Sequence, residues 1–157
     1  MRHSKVALSI PLIAIALLAV GCGNEEVKTP VACLNGPAPF AKALGSAPGQ
    51  VRLSGDVPIS GCLLKNQPDG ALVSVGGSLV TVATGLSRQM DAIALTNPSQ
   101  ATKAGYLVGA VEKGAEKTDG IHATLVQRVT SAATNNVKTP AQKAQYALGY
   151  KAGKADG

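Results

Sequence analysis

His122 is the only histidine after residue 3. Proton transfer or metal binding would start there, because imidazole titrates near neutrality and ligates metals. Glu116 and Asp119 stand close to it in sequence. Catalysis needs such groups in a defined geometry, and the motifs that announce one are missing. There is no Gly-x-Ser-x-Gly elbow, no second histidine at zinc spacing, no phosphate loop and no calcium-loop spacing. No residue is assigned as catalytic, no metal or cofactor is expected, and a direct chemical role for His122 is the minority reading. Tyr146 and Tyr150 lie four apart, so they share a helical face, with Tyr106 as a third ring. Stacked tyrosines can hold a sugar or an aromatic ligand. More commonly such rings cover the edge of a core and leave their hydroxyls in water, and that reading is preferred. Tyr106, Tyr146, Tyr150 and His122 are the ligand candidates.

Residues 1–21 say more about where the chain works. Arg2, His3 and Lys5 give a basic start, and Val6 to Val20 is apolar except for Ser9 and Pro11. Small residues then lead into Cys22, followed by the polar exit Gly23-Asn24-Glu25-Glu26. That order of regions is a secretory signal. The leader resembles the signal peptide of bacterial lipoproteins, and Ala19-Val20-Gly21-Cys22 resembles their lipobox. The resemblance implies that Cys22 carries a thioether-linked diacylglycerol and begins the mature chain. The protein would then sit on the extracytoplasmic face of a cell membrane, anchored by lipid. An ordinary cleaved signal with an incidental Cys22 is the first alternative. An uncleaved anchor is the second: sixteen helical residues from Val6 to Gly21 would span about 24 Å against a bilayer core of about 30 Å.

With Cys22 taken by lipid, Cys33 and Cys62 are left as a pair in an oxidising compartment, where a disulfide is expected. Closing a loop of about 30 residues is worth roughly 3.5 kcal/mol on the chain-entropy estimate. Free thiols are the alternative, and two cysteines this far apart with no adjacent histidine make a poor zinc set.

Removing the signal leaves 136 of the 157 residues, enough for one domain. It also takes Arg2 and Lys5 from the 15 Lys and Arg, leaving 13 against 9 Asp and Glu. The charges are scattered, which argues against a nucleic-acid surface. Phe40, Tyr106, Tyr146 and Tyr150 are the only aromatic residues. A core made instead from Ala, Val, Leu and Ile buries less area per side chain, so close helix contacts or a covalent staple must compensate.

Four segments follow: the signal at 1–21, a tether at 22–32, a loop-rich stretch at 33–68 and a helical domain at 69–157. Prolines and glycines break the third repeatedly. Gln50 to Leu53 resembles a short strand without a partner, and Ser60 is placed to cap a single turn through Cys62, Leu63 and Leu64. In the fourth, Asp69 is read as the cap of a helix whose apolar stripe is Leu72, Val75, Leu79, Val82, Leu86 and Ile93, with Met90 beside it. A second helix should begin at Asn97-Pro98, carry Ala101, Ala104, Val108, Val111 and Ala115 inward, and break at Asp119-Gly120. A third runs through Ile121, Leu125, Val129 and Ala132 to about Asn135. Thr139-Pro140-Ala141-Gln142 is a capping box opening a fourth, with Ala144, Leu148 and Ala152 on one side. The expected fold is mostly α, a small bundle of about four helices.

Gly105-Tyr106-Leu107-Val108-Gly109 recurs in outline as Gly149-Tyr150-Lys151-Ala152-Gly153. Glycines four apart on one helical face let another backbone come close. An internal helix contact is the favoured reading, and duplication or a self-association seam is the rival. The stretch from Gly105 to Val126 resembles uncharacterised helical domains in exported proteins of high-GC bacteria, which implies a helical fold and an exported setting. The functional expectation is a non-catalytic, membrane-tethered interaction or binding module, its partner an envelope protein or a small ligand. An envelope hydrolase acting on wall or lipid, and a self-associating structural protein, are the alternatives.

Overall fold

The computed structural model describes residues 27–92 and 99–157, with side chains described for 27–90 and 99–157. The signal, Cys22, Ile93 and the expected Asn97-Pro98 start lie outside the described residues. The chain is mostly helical, as expected, with five α-helices: α1 (Pro37–Ala43), α2 (Asp69–Ala92), α3 (Ser99–Ala115), α4 (Ala123–Thr134) and α5 (Pro140–Asp156). Single 3-10 turns stand at Val31–Cys33, Leu44–Ser46, Ile59–Cys62 and Glu116–Thr118.

The helix beyond the expected four is α1, inside the stretch read as loop-rich. Its prolines look like breakers, but Pro37 and Pro39 occupy the first turn, where backbone N–H groups have no helical partner to lose. Gly36 enters the helix at φ +77°, a left-handed turn that suits glycine. Phe40 and Leu44 are then fully buried, together with Val51, Ile59, Leu63 and the disulfide. The segment from 33 to 68 is therefore part of the same core as the helices and not a cover laid over it. The expected pair is joined: Cys33 and Cys62 form a disulfide with Cα atoms 5.5 Å apart. Gln50–Leu53 contributes one antiparallel bridge, Leu53 to Val57, across a tight turn. Ser60 does not cap its turn. Pro58 holds that position, and the Ser60 hydroxyl donates instead to the carbonyl of Gly157.

Helix α2 forms despite its valines and threonines because its apolar stripe is buried; Ser78, Thr81 and Thr84 satisfy their hydroxyls on carbonyls four residues back, at 2.8–2.9 Å. Asp69 is its first helical residue and not a cap, a position where its charge favours the helix dipole. Val75, Leu79, Val82, Leu86 and Met90 are buried, as the stripe required, and Leu72 packs at the edge. Asp69–Met90 is long and apolar enough to cross a membrane. Its buried stripe and its packing against α1, α3 and α4 make it a core helix.

Helix α3 is the axis of the molecule. Ala101, Ala104, Val108 and Val111 are buried as expected, and so are Gly105, Tyr106, Leu107, Gly109 and Ala110 around the rest of the helix. Ala115 is only half-buried. Asp119 (φ +51°) and Gly120 (φ +84°) end the run in left-handed backbone, as their sequence signalled. In α5 the capping box is present: Thr139 Oγ1 accepts from the Gln142 N–H at 3.1 Å, and Gln142 Oε1 accepts from the Thr139 N–H at 3.0 Å. The expected side of α5 holds only at Ala152, which packs half-buried against the core. Ala144 and Leu148 face solvent, and the inward face is Gln142, Gly149 and Gly153, flanked by half-buried Tyr146 and Tyr150.

That inward face meets α3 backbone to backbone. A Cβ on Gly105 or Gly109 would lie closer than 3.0 Å to the carbonyls of Tyr146 and Tyr150 respectively. One on Gly149 or Gly153 would do the same to those of Thr102 and Tyr106. Positions rise together along the two helices, so α3 and α5 run parallel, and α4 is the return between them. The two sets of contacts exchange under a shift of 44 residues (105 to 149, 109 to 153). The recurring glycine motif is thus one contact made twice, about a local two-fold axis along the helix pair.

Three expectations concern stability. Gly109→Leu or Gly153→Leu should destabilise the fold by about 1–3 kcal/mol or more through overpacking. Gly77→Ala, where an added Cβ meets nothing within 4 Å, should gain up to about 1 kcal/mol from helix propensity. Urea unfolding of the three variants checks the sign of each. Cys62→Ser should cost about 2–5 kcal/mol in the same assay.

Candidate functional site

The strongest candidate is a groove of about 320 Å³ between the first turns of α2 and the start of α4. Leu72, Val73, Gly76 and Gly77 form one wall, and Ile121, His122, Leu125 and Arg128 the other. Local sequence explains the shape. Gly76 brings α2 against Leu125, whose Cδ1 would be 3.3 Å from a Cβ at that position. Gly77 leaves open space, so the pair removes two side chains from the wall. Across the groove, the left-handed Asp119-Gly120 turn ends α3 and delivers Ile121 and His122 to the entrance of α4.

His122 is 1% exposed, and neither Nδ1 nor Nε2 has a hydrogen-bond partner. Burial lowers its pKa, so the ring is held neutral. A neutral imidazole keeps one N–H donor and one acceptor nitrogen. Leaving a buried polar group unpaired costs about 1–3 kcal/mol. The two carboxylates near it in sequence are drawn elsewhere. Asp119 pairs with Lys65 Nζ at 2.6 Å, and Glu116 pairs with Lys154. Each Lys65–Asp119 partner supports the charge of the other, raising the lysine pKa and lowering that of the aspartate. Among the described residues no Asp or Glu lines the groove, and its charged residue is Arg128. Among the described residues no three His, Cys, Asp or Glu side chains gather as a metal set. The lining is mainly apolar, with His122, Thr124 and Arg128 as its polar members, which suits binding. Among the described residues no acid–base partner contacts the histidine.

The tyrosines do not converge on it. Tyr106 is fully buried beneath the 50s loop, its hydroxyl accepting from the Val51 N–H at 3.4 Å, and burial raises its pKa. Tyr146 and Tyr150 stack with centroids 6.5 Å apart and planes 16° from parallel. Burial pushes the Tyr146 phenol up to about 12. The hydrogen bond donated to Glu112 does the same for Tyr150, also to about 12. These rings are edge covers for the α3–α5 contact. The four candidate glycines are likewise spent on the α3–α5 contact, each against a carbonyl of the facing helix, so none of these four is open to a second molecule.

Sequence reasoning singled out His122 but missed the groove. The signal was present in the adjacent glycines Gly76-Gly77 inside an otherwise apolar helical stripe, where two missing side chains on neighbouring positions open the surface.

The depressed His122 pKa has a definite sign. The unfolded chain binds its proton near pH 6.5, the folded one only at lower pH, so stability should fall as pH drops from about 7 toward 5. His122→Leu removes both the unpaired nitrogens and the titration, and it should flatten the dependence in that window. Urea midpoints at the two pH values for both proteins test this.

Comparison with known proteins finds no matching family model, no matching curated protein and no matching solved structure, so the functional reading rests on the geometry of the chain itself.

Proposed function

We propose that this chain is an exported protein held on the extracytoplasmic face of a cell membrane by lipid on Cys22, with a folded domain that binds rather than reacts. The anchor is supported by the order of the leader: basic residues, an apolar run, small residues and then the cysteine. The paired Cys33 and Cys62 agree with an oxidising compartment. Binding is supported by one observation above the others, the buried His122 with two unpartnered nitrogens in the wall of an apolar groove. Such a site favours a small, largely apolar solute carrying one hydrogen-bonding end. The hydrolase alternative has weaker support: among the described residues the groove's lining has no carboxylate, and His122 is not hydrogen-bonded to Thr124, the one hydroxyl in that lining.

Two measurements test the parts separately. Mass analysis of the N-terminal peptide should find a diacylglyceryl-modified Cys22, and Cys22→Ala should leave an unlipidated product. Solute retained by protein purified from native envelopes should be detected by mass spectrometry and lost from His122→Leu. An unmodified N-terminus at another residue refutes the anchor. Equal retention by both proteins refutes the site.

A further inference from the structure

Three sets of donors meet at the entrance of α4, and among the described residues each lacks an acceptor. The first is the helix start itself. His122 stands at the N-cap position without a side-chain cap, and the first turn of this 12-residue helix holds no acidic residue. The Ala123 N–H donates to the Gly120 carbonyl and the Val126 N–H to that of His122, while the N–H groups of Thr124 and Leu125 find no acceptor. Unspent amides and the helix dipole together favour an anion at such an end. The second is the His122 side chain, 1% exposed in the groove wall with both nitrogens unpaired. The third is Arg128, an exposed residue of the same lining, with neither an ion pair nor a side-chain hydrogen bond to an acid.

Thr124 and Arg128 stand four apart and share a face of α4. Long helical side chains lean toward the N-terminus, which carries the guanidinium back toward the unspent amides. The acidic residues nearest in sequence do not compete for it, since Asp119 pairs with Lys65 and Glu116 with Lys154. The rest of the lining is apolar, with Leu72 and Val73 on α2 facing Ile121 and Leu125. At about 30 Å³ for each water-sized group, the groove of about 320 Å³ holds about ten non-hydrogen atoms.

We infer that the groove binds a medium-chain carboxylate, its anion held at the start of α4 by the Thr124 and Leu125 N–H groups, His122 and Arg128, and its aliphatic chain laid along the α2 wall. This rests on the binding role proposed above and names the class of ligand. Both imidazole nitrogens are out of contact with solvent, so the ring turns to meet the carboxylate as it enters. A carboxylate is acceptor-only and offers lone pairs to all of these donors, whereas a neutral hydroxyl on the same chain leaves most of them unmatched. Octanoate, 1-octanol and acetate are the probes. Equilibrium dialysis of the full chain, purified in detergent, reads bound against free probe, with detergent alone as the blank. Octanoate should bind at one per chain, about tenfold or more tighter than octanol, and acetate should bind far more weakly than octanoate. Arg128→Gln should weaken octanoate about tenfold and leave octanol unchanged. Gly77→Leu, which puts a side chain into the open space beside Gly77, should abolish binding of both. Both positions are exposed, so the variants keep the fold, and urea midpoints check it. Octanol binding as tightly as octanoate overturns the carboxylate assignment and leaves the apolar groove standing. Acetate binding as tightly as octanoate overturns the aliphatic half. Octanoate binding that survives Gly77→Leu, or is untouched by Arg128→Gln, overturns the placement. Binding of no probe overturns the inference and the groove's binding role together.

Discussion

The fold depends on two helices touching through their backbones. Helices α3 and α5 come together where four glycines remove every side chain that would hold them apart. The four cost roughly 4 kcal/mol of helix propensity relative to alanine, and the buried residues of α5 are only Gln142, Gly149 and Gly153. Close approach replaces the area that aromatic side chains would bury in another domain. It also recruits polar ties along the rim: Thr102 Oγ1 donates to Gln145 Oε1 at 2.9 Å, Tyr150 donates to Glu112, and Lys154 pairs with Glu116. Because the two helices are parallel, the chain must return between them. That return is α4, and its entrance carries His122. The candidate site is thus a consequence of the same constraint.

Much of this was legible in the sequence because the signals were local. The Thr139–Gln142 capping box, the Asp119-Gly120 break and the Leu72-to-Met90 stripe each state their structure within a few residues. The glycine motif announced a close contact too, although the parallel arrangement and the 44-residue exchange needed the third dimension. What failed did so for physical reasons. Pro37 and Pro39 read as breakers because a proline cannot show from sequence alone that it sits in a first turn. The capping role given to Ser60 was overridden by a distant acceptor, the Gly157 carbonyl, which no local rule can foresee. Leu148 was grouped with Ala144 and Ala152 on one side of α5, yet Gly149 and Gly153, which bury almost nothing, hold the inward face through backbone fit.

The site was the least legible part. His122 was visible as a rare residue, and its sequence neighbours Glu116 and Asp119 suggested acid–base partners. In the fold both carboxylates serve lysines, and the imidazole is left neutral, buried and unpaired. Proximity in sequence misled here because the left-handed turn at Asp119-Gly120 sends the acidic side chains and the histidine to different surfaces. The groove flanks the first two turns of α2, so the helix that carries the core stripe also forms a wall of the site.

Native-state hydrogen exchange along α3 and α5 tests the central claim most directly. If the glycine contact is the constraint on which the fold rests, amides in the middle of the two helices open together, with the slowest exchange in the molecule and at the free energy of global unfolding. If α5 exchanges by its own local opening while α3 stays protected, the contact is peripheral and this account of the fold is wrong.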